Sequence, residues 1–417
     1  MTTEQENAAH WLWSNNEKKY LQLVAGAGSG KTTTMVETLS VAKEAGFNPS
    51  SCCLITFTKK SANEMEQRLL KNNIRAGFTG TMHSLGYSIL KNKYGGALNI
   101  LTDSDKVIKD IICTLFPQYR HIPPDVLSKS NLLSHVEKER LQKEYFLYKQ
   151  KKDLFDLDDL IHRARSVLES SSDLFPYEYV MVDEFQDTSP EQVSFIQSMR
   201  PGKLFAVGDD WQSIYGFRGA DVSISRNFSQ YFPGARRSFL TKNFRSQGRI
   251  VQLGNKAIRL SEEYIKKKLR AHHSSTVAPR CFIISKKVSP EKAWSLYAKV
   301  KNEISNLTVL VRTNYLRTII EEIAPAGVNV LTIHSSKGLE FENVLIFGVA
   351  KNIFPHRFND PDEEVRLLYV AITRAKQQID FLCWEDGSDY SSFMPFLASN
   401  CKITYLKESG RGLKQTG

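Results

Sequence analysis

Short apolar runs recur along the chain, each closed by a polar or glycine-rich turn: YLQLVA (20–25), CCLITF (52–57), YEYVMVD (177–183), KLFAVGD (203–209), LTVLVR (307–312) and VLIFGV (344–349). Continuous apolar runs of this length predict strands buried on both faces of a parallel sheet. Helical periods lie between them. Met35, Leu39 and Ala42 recur at i, i+4 and i+7 with Val36 beside them, the spacing of one buried helix face. Strands alternating with helices predict an α/β fold with sheets covered on both sides.

One segment breaks that rhythm. From about 100 to 165, Val107, Ile108, Ile111, Ile112 and Leu115 form a single helical stripe, and the charged stretch 131–152 also reads as helix. The expected organisation is a first α/β domain over 1–90 and 160–238, a helical insertion over 91–159, and a second α/β domain over 239–417. The second follows the Phe232–Gly234 turn. A length of 417 residues suits two or three domains, and the 41% hydrophobic, 24% charged mix is that of a globular chain. No tandem repeat is visible, and the tail KESGRGLKQTG reads as frayed.

Charge adds a preference of partner. The formal net charge of +11 suits a polyanion, and nucleic acid is the natural one. The six cysteines show neither a C-x-x-C pair nor zinc spacing, so a reducing compartment without a metal knot is expected. The polar start MTTEQENAAH and the shortness of every apolar run predict a soluble, unsecreted, cytoplasmic protein without a membrane helix.

Two motifs carry chemistry. AGAGSGKT, from Ala25 through Gly26, Ala27, Gly28, Ser29, Gly30 and Lys31 to Thr32, follows a strand and opens a helix. That context makes a phosphate-binding loop: glycines let backbone N–H groups face phosphates, Lys31 neutralises them, and the Thr32 hydroxyl holds Mg²⁺. Ala25 stands where the generic pattern has its first glycine. The second motif, VMVDEFQDTS (180–189), places two carboxylates at the end of a strand, the side on which such sheets bind ligands. Asp183 is expected to face the metal and Glu184 to act as general base toward a water.

With these in place the chain resembles the UvrD/Rep family of superfamily 1 helicases over nearly all its length. The resemblance runs through Gln5, TFTKKSANEM (56–65), GTMHSLG (80–86), FDLDDL (155–160), VDEFQDTS (182–189), VGDDWQSIYGFRGA (207–220), NFRS (243–246), VLVRTN (309–314), TIHSSKGLEF (332–341) and LLYVAITRAK (367–376). The GDDWQ wording is similar to the helicase IV branch. The family implies two RecA-like parallel-sheet domains, with Mg²⁺ and ATP in the cleft between them. It implies that Gln5 reads the adenine edge, that Phe244 stacks on the base, and that Glu340 also belongs to the nucleotide site. Gln212 then senses the γ-phosphate, and Arg245 and Arg374 reach that phosphate from the second domain. Single-stranded DNA is implied for Phe57, Thr58, His83, Ser84, Tyr215, Phe217, Arg218 and His334, and aromatic faces suit a motor that passes every sequence.

Departures from the family pattern sharpen the expectations. Phe244 stands where relatives often carry Tyr, and Thr33 where they carry Arg, which weakens the grip on adenine. Trp211 replaces a frequent Asp and either stacks on DNA or packs. Lys59 adds a phosphate contact, and YIKKKLR (264–270) is either such a contact or a solvated helix face. Only sixteen residues separate Asn314 from Leu331, where large members insert an accessory domain, so a stripped-down motor is expected. No nuclease signature follows Lys376, and degradation is not expected.

The resemblance thus implies an ATP- and Mg²⁺-dependent 3′ to 5′ helicase or translocase, monomeric by default, acting on single-stranded and tailed duplex DNA, with an accessory replication or repair protein as a further partner. Three readings stand beside it. One is a translocase that strips proteins without unwinding. Another is an RNA motor, since stacking does not separate sugars. The last is a non-catalytic adaptor, which would require loss of Lys31, Asp183, Glu184 or Arg374; all four are present.

Overall fold

The computed structural model describes residues 2–124, 127, 132–275, 277–285, 288–301, 306–384 and 389–407. The frayed tail expected from the sequence lies outside them, apart from Lys407. Every strand pair is parallel, the α/β pattern that continuous apolar runs predict.

The first sheet takes β1 (Lys19–Ala25), β2 (Cys52–Thr56), β3 (Phe78–Thr81), β4 (Tyr179–Val182), β5 (Lys203–Gly208) and β6 (Arg236–Leu240) in the order β3-β2-β4-β5-β1-β6. A two-stranded sheet of β7 (Lys242–Gln247) and β8 (Arg270–His273) follows. The second six-stranded sheet is built from β9 (Arg280–Ile284), β10 (Leu307–Val311), β11 (Asn329–Thr332), β12 (Phe341–Val349), β13 (Ala375–Trp384) and β14 (Lys402–Leu406), ordered β11-β10-β12-β13-β9-β14.

Both faces of each six-stranded sheet are buried. Met35 and Leu39, from the helix that the sequence periodicity predicts, pack with Leu21, Leu54 and Phe205 on one face of the first sheet. Ile55, Val180 and Leu204 meet helix residues Leu85, Leu160 and Phe195 on the other. Helices Met82–Tyr94 and Leu157–Ser170 approach so closely that a Cβ on Gly86 would lie 2.5 Å from the Leu160 carbonyl oxygen, so a side chain is excluded there.

The insertion has a small core of its own, in which Ile112 of helix Ser104–Leu115 and Leu141 of helix His135–Lys151 meet Phe116, Leu127 and Leu133. Lys149 ties it down by donating to Asp156 at 2.6 Å and Asp159 at 2.7 Å. The expected boundaries at 90, 160 and 238 fall inside Met82–Tyr94, Leu157–Ser170 and β6, because these elements pack on the first sheet. The two large domains share one apolar cluster: Ala27, Trp211 and Ile214 of the first meet Ile250, Leu253 and Tyr369 of the second. Among the described residues no helix is long and apolar enough to cross a membrane.

Candidate functional site

The phosphate loop leaves β1 at Ala25, which is still paired with Leu240 in the sheet; an extended residue tolerates a side chain, so alanine serves there. Gly28 at φ +65° and Gly30 at φ +84° take the left-handed conformations that glycine adopts without strain. Gly30 is the N-cap of helix Lys31–Glu44 and offers no capping side chain, so N–H groups of the first turn are left for another acceptor. Ser29 is spent locally, its hydroxyl donating to the Gly26 carbonyl at 2.7 Å. Thr32 is half-buried in the first turn and Thr33 is exposed.

The mouth of the loop is roofed from the second half of the chain. Phe244 N–H donates to the Gly28 carbonyl at 2.8 Å, and the Asn243 amide to the Ala27 carbonyl at 2.7 Å. A Cβ on Gly28 would meet the Arg245 Cβ at 2.6 Å, so this glycine is also required by contact. Phe244 itself is exposed and tilts against His272, with ring centroids 5.3 Å apart. Gln5 lies behind the loop, its amide donating to the Thr34 hydroxyl at 2.9 Å and accepting from Thr2 N–H at 2.7 Å.

Facing Lys31, β4 delivers the two carboxylates. Glu184 sits at φ 50°, ψ 42°, a conformation uncommon for a side-chain-bearing residue and typical of functional turns. Its Oε2 is 3.6 Å from Lys31 Nζ and accepts from Gln186 Nε2 at 2.7 Å. Burial works to raise this carboxyl, but Lys31, Lys337 and the Gln186 hydrogen bond hold it at about 2. Asp183 has the opposite balance: burial and then the neighbouring Glu184 charge push it up to about 7. A cation at Asp183 would relieve that conflict. The Asp183 carboxylate, with the Thr32 hydroxyl on the facing helix, offers the oxygen donors that a hard cation such as Mg²⁺ takes, and no group of three His, Cys, Asp or Glu that could hold a metal occurs among the described residues.

Behind the carboxylates runs a buried polar chain that joins Gln212 and Arg374, expected from the sequence, to Asp187, Asp209 and Lys337, which were not. Asp187 receives Lys337 of the second domain at 2.5 Å, and Lys337 also donates to the Gln212 carbonyl at 2.7 Å. Burial pushes Asp187 up to about 6 against the pull of Lys337. Gln212 donates to Asp209 at 2.6 Å and accepts from Arg374 at 3.1 Å. The remaining Arg374 donors hold Val370 and Leu339 carbonyls, and burial, then Arg245, lower the guanidinium to about 9. Arg245 pairs with Glu340 at 2.8 Å, and Glu340 also takes Lys376 at 2.9 Å; Glu340 thus holds basic side chains.

The residues expected to contact a strand come together as a row. Phe57 stacks on Tyr215 with centroids 5.2 Å apart and planes 12° from parallel. Tyr215 meets Phe217 at 6.0 Å, and Phe217 meets His334 of the second domain edge-on at 5.5 Å. Arg218 lies over both the Tyr215 and Phe217 rings. Thr58 caps one helix by accepting from Ser61 N–H, and Ser84 closes the capping box of another, whose N-cap is Thr81. A cavity of about 1040 Å³ reaches from Phe57, His83, Tyr215 and Arg218 to Asp183 and Glu184, so row and carboxylates open on one space. Burial lowers His83, and it lowers His334 to about 4 with help from Arg312, Lys337 and Arg218; neutral rings are suited to stacking.

One open reading closes and another narrows, for Lys266, Lys268 and Arg270 stay exposed. Trp211 packs: it is buried edge-on against Tyr369 at 5.3 Å, and its indole N–H donates to the Ile265 carbonyl at 3.0 Å. The YIKKKLR segment is neither a helix nor a uniform charged face. It is extended with Ile265 and Leu269 buried, and the Lys267 side chain, 0% exposed, lies between Asp209 and Asp210 at 2.9 and 2.7 Å. The two buried aspartates are the reason one lysine of three turns inward with Ile265 and Leu269.

The chain matches known proteins along most of its length. The profile of the UvrD/REP helicase N-terminal domain matches residues 1–138 and 117–233, and that of the UvrD-like helicase C-terminal domain matches residues 320–384. A probable DNA helicase of Mycoplasma pneumoniae is 30% identical over 416 residues, covering 85% of this chain and 78% of its own. DNA helicase IV of Escherichia coli is 31% identical over 251 residues, 54% of this chain and 36% of that protein. The ATP-dependent DNA helicase Rep of Buchnera aphidicola is 27% identical over 358 residues, 74% and 54% respectively. The chain thus spans most of the first relative and about half or less of the other two.

Proposed function

This chain belongs to the UvrD/Rep helicase family, and from that premise we propose that it is an ATP-driven motor moving 3′ to 5′ on single-stranded DNA and opening duplexes ahead of it. The observation that carries the reading is the placement of the aromatic row. It crosses from Phe57 and Tyr215 to His334 over the same interdomain cleft that holds Lys31, Glu184, Gln212 and Arg374.

Lys31 and the open N–H groups of its helix bind the phosphates of ATP. Thr32 and Asp183 would hold Mg²⁺, which would supply positive charge beside the phosphates. Glu184, held ionised beside Lys31, orients a water and accepts its proton. Gln212 keeps Arg374 aimed at the cleft, where a guanidinium stabilises charge that develops on the transferred phosphoryl group. Phe244 covers the base end.

Movement follows from where the row is anchored. Phe57, Tyr215 and Phe217 ride on the first domain and His334 on the second, so a change in cleft width alters the spacing between stacking faces. Lys337 bridges the two at Asp187 and Gln212, next to the ring of Tyr215 at 4.7 Å, and so senses both sites.

One observation favours a narrower second reading, translocation without autonomous unwinding. Helix Asn314–Ile323 runs into β11 through residues 324–328 alone, which leaves no room there for a domain that wedges strands apart. Duplexes with a 3′ or a 5′ tail distinguish the readings. Opening of the 3′-tailed duplex alone supports the helicase; DNA-stimulated hydrolysis without opening of either supports the translocase. Opening from the 5′ tail alone contradicts the direction.

A further inference from the structure

Phe358 is the most exposed large hydrophobic side chain among the described residues, at 75%, yet the loop that carries it is rigidly mounted. Glu364, 1% exposed, accepts His356 N–H and the Asn359 amide, each at 3.0 Å, on either side of Phe358. The same carboxylate takes Arg312 in a two-pronged pair, the closer contact at 2.6 Å. Asp360 caps the next helix, Pro361–Ile372. A buried carboxylate that takes four donor groups from three residues is an expensive way to hold a surface loop, and it fixes the direction in which Phe358 stands.

The neighbourhood says what the ring faces. Arg357 lies over it at 4.3 Å, and His356 stands 5.8 Å away by ring centroid. His356 also lines a cavity of about 390 Å³ together with Phe217, His334, Arg312 and Asn314, so the loop begins where the aromatic row ends. The His356 Nδ1 atom is buried there without a hydrogen-bond partner. An exposed aromatic backed by a guanidinium suits a base with its phosphate: the ring offers a stacking face to any base and the cation offers charge to the backbone. A preset mount lowers the ordering cost of binding.

We propose that Phe358, with Arg357 against its ring, is a base-stacking platform that extends the single-strand track beyond His334, farther across the second domain. The inference rests on the reading of the Phe57 to His334 row as that track, and it adds a subsite at one end of it.

The test is binding of fluorescent oligodeoxythymidylates, in a series from about 4 to about 16 nucleotides, to the full chain without ATP. Wild type, Phe358→Ala, Phe358→Trp and Phe217→Ala are compared, each checked for an unchanged melting temperature. F358A is expected to bind the long strands roughly 5- to 100-fold more weakly than wild type, the loss of one stacked base. It should match wild type on strands too short to reach the loop, and F358W should restore the long-strand affinity. F217A should weaken binding at every length. Wild-type affinity of F358A for the longest strand, with F217A weakened, overturns the platform and leaves the track intact. Loss of affinity in F358A at every length overturns its place at the end of the row. If neither variant differs from wild type, the track itself is refuted and the platform with it.

Discussion

Arg374 donates to Gln212 across the interdomain cleft at 3.1 Å, joining a residue that precedes a strand of the second sheet to one that follows a strand of the first. Gln212 is in turn held by Asp209, so the guanidinium has a fixed partner before any nucleotide arrives. Replacing Arg374 with Lys should therefore preserve most of the fold and lose most of the rate, because a point charge cannot keep the planar fork on Gln212, Val370 and Leu339 together. The expected drop in kcat for DNA-stimulated hydrolysis is roughly 10³-fold or more, with a much smaller change in KM for ATP. A variant that keeps its kcat would remove Arg374 from the reaction.

Lys267 is the hidden support of that arrangement. It neutralises Asp209 and Asp210 inside the protein and lies over the Trp211 ring at 4.0 Å. Lys267→Met leaves two buried carboxylates without their cation, a change expected to cost about 3 to 5 kcal/mol in urea unfolding. Since Asp209 also holds Gln212, the surviving folded protein should hydrolyse ATP more slowly at saturating substrate. A loss below about 1 kcal/mol, the range of surface ion pairs, would show that the pair is dispensable.

A pH-dependent contribution is expected in the second sheet. Asp380 on β13 accepts Arg280 through both oxygens at 2.8 Å, and Lys301 and the Tyr297 hydroxyl each at 2.8 Å. Burial works to raise it, but Arg280 and Lys301 keep it below the ordinary carboxylate value. A depressed carboxyl stabilises the fold above its unfolded pKa of about 3.9, and that contribution is lost as pH falls through the lower folded value. The stability gap between wild type and Asp380→Asn, about 3 to 5 kcal/mol at neutral pH, should narrow as pH drops below about 4. Urea titrations across that range would show it, and a gap independent of pH would contradict it.

The central strands were legible because their apolar runs are continuous, as in CCLITF and VLIFGV. Several others showed that signature only in part, for identifiable reasons. β3 is the four-residue FTGT, half of it only partly buried, and β6 begins with two exposed arginines at the sheet edge. β13 opens with partly exposed AKQQ before its buried half. At a sheet margin or a strand end the covering helices leave positions partly exposed, and the apolar run is interrupted there.

The site divides along a similar line. Lys31, Asp183 and Glu184 were readable because a strand–loop–helix and a strand end place them by local geometry. Asp187, Gln186, Lys337, Asp209 and Lys267 lie inside or beside the same motifs, but their roles depend on contacts such as Lys337 to Asp187, 150 residues apart. Spacing along a chain does not encode a pairing between domains. Glu340 and YIKKKLR mark the same limit, for their partners are Arg245 and Lys376 in one case and two buried aspartates in the other.

Coupling between the glycine-rich loop and the aromatic row is measured most directly by hydrolysis of Mg²⁺-ATP. Wild type and Lys31→Ala are compared with and without single-stranded DNA, after confirming equal melting temperatures. DNA should accelerate hydrolysis by wild type, while K31A stays at background in both conditions. Equal wild-type rates with and without DNA, or hydrolysis by K31A at the wild-type rate, would contradict the claim that one cleft serves both nucleotide and strand.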